Sequence, residues 1–78
     1  MTVEKFNELY AVACAFLRNI HFSVDPVVTC RETSANIMTV LVTFPRTETT
    51  PRKILRFSIN EDGRINSKIF LKQLKEWV

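Results

Sequence analysis

One glycine, one histidine and two cysteines leave the 78 residues poor in the types that build phosphate loops and structural zinc sites. A phosphate-binding loop needs several glycines so that backbone amides can approach the ligand, and Gly63 stands alone. Cys14 and Cys30 lack CxxC spacing, and with His21 they cannot supply the four ligands of a structural zinc site. His21 has no acidic or thiol neighbour at a useful spacing, and Glu61-Asp62 before Gly63 is the ordinary composition of a turn. The expectation is therefore a protein without catalytic residues, metal, cofactor or small-molecule substrate, and not an enzyme.

Long apolar runs are missing too. No stretch approaches the roughly 20 residues that a membrane-spanning helix needs. The opening Met1-Thr2-Val3-Glu4-Lys5 has no basic segment followed by an apolar one, as a secretory signal would. The two cysteines, one in a helix-like and one in a strand-like segment, have neighbours that suggest inward-facing positions and read as buried free thiols, with a helix-to-sheet disulfide as the alternative. These features point to a soluble cytoplasmic protein with no membrane partner.

What the chain does have suits one small domain, residues 1–78. Apolar residues make up 46% and charged residues 24%, a balance that supports folding, and so short a chain must commit most of its apolar residues to the core. A net charge of +3 favours a polyanionic partner only modestly.

The strongest pattern is Ile37 to Phe44, a run of β-favouring residues. Alternation puts Met38, Val40, Val42 and Phe44 on one wholly apolar face and Ile37, Thr39, Leu41 and Thr43 on a mixed one. Ahead of it, Phe6, Leu9, Tyr10, Ala13, Phe16, Leu17 and Ile20 recur at helical spacing over residues 3–20, with Thr2 as N-cap. Asp25-Pro26 leads into a strand over Val27 to Arg31, and the polar stretch Glu32 to Asn36 turns it back on itself. Pro45 to Pro51 is a surface loop without an apolar anchor, followed by a strand over Ile54 to Ile59.

Asn60-Glu61-Asp62-Gly63 is a turn, after which Arg64-Ile65 is either connection or a short further strand. Asn66 or Ser67 then caps a helix carrying Phe70, Leu74 and Trp77 on one side, and the Trp77-Val78 end is expected to be docked. The predicted fold is α+β, in the order α-β-β-β-α: a three-stranded antiparallel meander with both helices packed on one face.

Two surfaces follow from that arrangement. The uncovered sheet face would carry Val27, Thr29, Arg31, Ile37, Thr39, Leu41, Thr43, Ile54, Arg56 and Ser58. Its apolar residues rimmed by threonine and arginine suit a protein partner or a homodimer, with Ile37, Thr39, Leu41, Ile54, Arg56 and Arg31 as the contact residues. An edge strand offers a second route to the same kind of partner. The other surface is basic: Arg64, Lys68, Lys72 and Lys75 along the last helix, joined by Arg52, Lys53 and Arg46 from the loop. Such a face could hold the phosphates of a nucleic acid without reading its bases.

Asn7-Glu8-Leu9 in the first helix and Ser67-Lys68-Ile69-Phe70-Leu71-Lys72 opening the last one resemble motifs of the double-stranded-RNA-binding domain, whose element order is also helix, three strands, helix. The resemblance implies that Lys68 and Lys72 grip phosphates across the RNA groove and that Glu8 faces the minor groove. Ile69 stands where that family has a lysine and Leu71 where it has a small alanine. The Glu32 to Asn36 turn lacks the family's Gly-Pro-x-His loop. The leading expectation is a non-enzymatic protein-binding module, an inhibitor, adaptor or dimer subunit, with RNA binding through the basic helix as the alternative.

Overall fold

The computed structural model describes residues 1–77, the side chain of Trp77 excepted. The Trp77 side chain and Val78, and with them the expected docking of the C-terminal end, lie outside the described residues. Six elements follow one another: α1 (Val3–Arg18), β1 (Val27–Ser34), β2 (Ile37–Phe44), β3 (Lys53–Asn60), β4 (Ile65–Asn66) and α2 (Lys68–Trp77). The strands form one antiparallel sheet whose spatial order, β1-β2-β3-β4, is the chain order.

β2 has the predicted bounds, and its residues alternate between half-buried and buried along its whole length. Met38, Val40, Val42 and Phe44 lie under the helices, joined from β3 by Leu55, Phe57 and Ile59. Leu9, Ala13 and Leu17 of α1 and Phe70 and Leu74 of α2 close the core from above. The Phe57 ring stands 5.0 Å from Phe16 and 5.0 Å from Phe70, so one β3 side chain ties both helices to the sheet. Tilted ring pairs of this kind contribute about 0.5–1.5 kcal/mol beyond the area they bury. Phe22, 5.4 Å from Phe44, anchors the segment that carries the chain from α1 to β1.

The α+β class agrees with the sequence, but the sheet has four strands where three are predicted. β4 is made by the turn before it. The Asn60 N–H donates to the Arg64 C=O at 2.9 Å, the Gly63 N–H to the Asn60 C=O at 2.9 Å, and the Arg64 N–H to Asp62 Oδ1 at 3.1 Å. Gly63 sits at φ +86°, a region a Cβ disfavours. This closure sets Ser58 opposite Asn66 and Ile59 opposite Ile65, and Ile65 packs against the core.

Other boundaries shift for local reasons. β1 runs on to Ser34 instead of stopping at Arg31, with a bulge between Glu32 and Ser34 absorbing the odd residue. Its polar end is exposed, so it looks like a turn in sequence while it still pairs with β2. α1 starts on Thr2, whose hydroxyl accepts from the Lys5 N–H at 3.1 Å. It ends at Arg18, with Asn19 as C-cap. Tyr10 is 44% exposed rather than part of the buried stripe, because it projects from the flank of α1. Val28 and Cys30 are half-buried rather than fully enclosed, since β1 is the outermost strand. No helix among the described residues is long and apolar enough to cross a membrane.

Candidate functional site

Among the described residues, no element covers the sheet face opposite the helices. The strand register arranges that face in cross-strand rows: Val27–Thr43–Ile54, then Thr29–Leu41–Arg56, then Arg31–Thr39–Ser58, then Ser34–Ile37–Asn60. Leu41 has Val27 and Ile54 as its diagonal neighbours, a separation of about 7–8 Å in an antiparallel sheet. Val27 is 62% exposed and Ile54 46%, while the strands on either side leave Leu41 half-buried. These three side chains form one apolar patch. Ile37 stands apart, about 13 Å along β2 at the strand rise of about 3.3 Å per residue, with Thr39 between.

Arg31 and Arg56 border the patch. Among the described residues the ion pairs are the Met1 ammonium with Glu32, at 2.6 Å, and Lys5 with Glu8, at 3.4 Å, so neither arginine is matched by a carboxylate. The Thr33 and Thr39 hydroxyls lie 3.0 Å apart across β1 and β2, which fixes polar groups at the Ile37 end of the face.

The predicted basic set is divided by the topology. Lys68, Lys72 and Lys75 are exposed on α2, and steps of four and three keep them within one narrow arc turned away from Phe70 and Leu74. Arg64 precedes α2 at the Asn60 end of β3. Arg46, Arg52 and Lys53 lie at the other end, about 23 Å away for eight extended residues. The loop that carries the first two is held by its own threonines: the Thr50 N–H donates to Thr47 Oγ1 at 3.0 Å and the Thr47 N–H to the Thr50 C=O at 2.9 Å.

Cys14 and Cys30 are both free and half-buried, where α1 meets β1. Burial pushes the Cys30 thiol above its ordinary pKa, and the Cys14 thiol adds to the shift. Cys14, through charge and then a hydrogen bond, likewise raises the phenol of Tyr10. The raised value at Cys30 makes its thiolate scarce, the opposite of what activates a nucleophile. His21 is exposed, and the Asp62 carboxylate is engaged in the turn. Among the described residues no three His, Cys, Asp or Glu side chains gather as a metal site would require.

Beyond Asn66 the chain leaves the sheet for α2, and a notch of about 360 Å³ opens beside β3. Thr39, Arg56 and Ser58 line it from the sheet, Asn66 from β4, and Ile69, Phe70 and Gln73 from α2. Ile69 is 70% exposed there. The sequence signal for it was Ile69 itself, an isoleucine off the apolar stripe of its helix. Compared with protein-family models, with curated proteins and with solved structures, the chain finds no match.

Proposed function

We propose that this chain is a non-enzymatic protein-binding module that acts through its sheet, as an inhibitor or adaptor or as one subunit of a dimer. The observation that carries the reading is the patch of Val27, Leu41 and Ile54 on a face that no other described element covers, bordered by Arg31 and Arg56, to neither of which a carboxylate of the described residues is matched. An apolar centre with an arginine and threonine rim is the composition of a protein interface, where desolvated aliphatic area supplies affinity and the rim supplies orientation. The two free thiols support a reducing setting such as the cytoplasm.

The test is Leu41→Asp. Association, measured by sedimentation for self-association and by capture with identified bound protein for a partner, is expected to be lost while the circular dichroism spectrum stays native. A protein that stays monomeric at high concentration and captures nothing through this face counts against the reading.

A second reading has an observation of its own. Lys68, Lys72 and Lys75 are exposed on one side of α2, and the first turn of that helix carries no acidic residue. A nucleic acid held there would contact the helix through its phosphates. Lys68→Glu with Lys72→Glu would then abolish binding to an RNA duplex, and wild-type affinity would fall steeply with salt. Absent or salt-independent binding removes this alternative.

A further inference from the structure

The two edges of the sheet differ in how they are guarded. The outer edge of β1 has Pro26 at its entry, a bulge between Glu32 and Ser34, and the Met1 ammonium on Glu32. Such devices discourage the pairing of another strand. Among the described residues the outer edge of β3 pairs with β4 alone, and β4 reaches only Ser58 and Ile59.

The direction of the free groups follows from the ladder. The Asn60 N–H points outward to the Arg64 C=O, and backbone direction alternates along an antiparallel strand. Ser58, Arg56 and Ile54 therefore turn their N–H and C=O groups to the same side. Ser58 meets Asn66 there; opposite Arg56 and Ile54 no strand of the described residues lies. The unmet groups of Arg56 open onto the notch beside α2, and those of Ile54 continue the same edge beyond it.

We infer that an extended peptide segment bearing acidic residues docks in this notch, adding to the Ile54–Arg56 part of β3 as a strand that continues the line of β4. The inference rests on the protein-binding reading and narrows it to one edge and one kind of partner. An added strand gains affinity from the ladder and specificity from its alternating side chains. Those turned toward α2 would meet Ile69 and Gln73, and those turned to the open face would meet Arg56, Ser58 and Thr39.

Charge selects the acidic class. Among the described residues no carboxylate lines the notch and none is matched to Arg56, and Lys72 lies one helical turn from Ile69. The nearest acidic side chain of α2, Glu76, is a turn beyond Gln73 and is not part of the lining. A second copy of the chain fits poorly, because pairing β3 with itself would bring like-charged arginines and lysines together across the two-fold axis.

A display library of random dodecapeptides, panned against the full chain at low salt, tests the inference. Enriched peptides are expected to be rich in Asp and Glu with apolar residues at alternate positions. Their affinity should fall about tenfold or more in Arg56→Glu and in Ile69→Asp. Both side chains are exposed, so the variants keep the fold, which circular dichroism checks.

In the complex with the strongest peptide, the Ile54 and Arg56 amide protons should exchange about tenfold more slowly. Enrichment without acidic residues, equal binding to both variants, or protection at Val28 and Cys30 instead would overturn it. If Leu41→Asp abolishes peptide binding and Ile69→Asp does not, the notch is wrong while the protein-binding reading stands. If no peptide is enriched the inference fails, and the association of wild type and Leu41→Asp then decides the broader reading. A short RNA duplex that binds through Arg56 when no acidic peptide does would overturn it as well.

Discussion

The two faces of β2 belong to one strand and do different work. Met38, Val40, Val42 and Phe44 are almost fully enclosed, while Ile37, Thr39, Leu41 and Thr43 on the same backbone stay half-buried with no element of the described residues above them. Stability is concentrated on the first side, where both helices and the Phe16, Phe57 and Phe70 rings meet. The second side contributes strand propensity and cross-strand pairs worth at most about 1 kcal/mol each. Substitutions on the open side are therefore free to be selected for a partner without threatening the fold.

That contrast is open to measurement, beginning with the enclosed side. Phe57→Ala removes a 3% exposed ring from between two others and is expected to cost about 3–5 kcal/mol, seen as a collapse of the denaturation midpoint. A loss below about 1 kcal/mol would mean that the helices hold the sheet by other contacts. Gly63→Ala acts on the turn that brings the chain back to pair with β3 as β4. A Cβ there would meet nothing within 4 Å, so the expected loss of about 1–2 kcal/mol is purely the cost of φ +86° in a residue with a side chain.

Leu41→Asp should change stability by less than about 1 kcal/mol, since its neighbours on the open face already meet water, while removing association. A large loss of stability would mean that the open face is part of the core.

The smallest effect concerns Cys30 at the edge of the enclosed side. Its folded pKa is raised, chiefly by burial, so the stability tied to the neutral thiol is complete below its unfolded pKa. It is lost as pH rises through the folded value. Cys30→Ser should flatten that alkaline decline, and iodoacetamide should label Cys30 more slowly than an unstructured cysteine at the same pH.

How much of this was legible in the sequence depends on the length of each pattern. Eight alternating residues gave β2 its bounds from Ile37 to Phe44, and helical spacing located α1 and α2. Two residues cannot display an alternation, so β4 could only be one option after the Gly63 turn, and the notch at its end went unread. Tyr10 looked like core because an apolar stripe has flanks that periodicity counts equally with its centre. Sequence alone cannot separate Arg46 and Arg52 from Arg64, because charge along a chain does not say which end of the sheet each loop occupies. Alternation yields the residues of the second sheet face as a set, while the separation of Ile37 from the Leu41 patch comes from the register.

Chain order and sheet order coincide, and this bears on how the molecule assembles. Each strand finds its neighbour across a near turn, at 35–36, 45–52 and 61–64, so the ladder can zip by successive short closures with little loop entropy to overcome. α1 is the exception, because Leu9, Ala13 and Leu17 must reach β2 and β3 side chains more distant in sequence. The meander is thus expected to form early, with the open and enclosed faces briefly alike, and the docking of α1 is the step that distinguishes them.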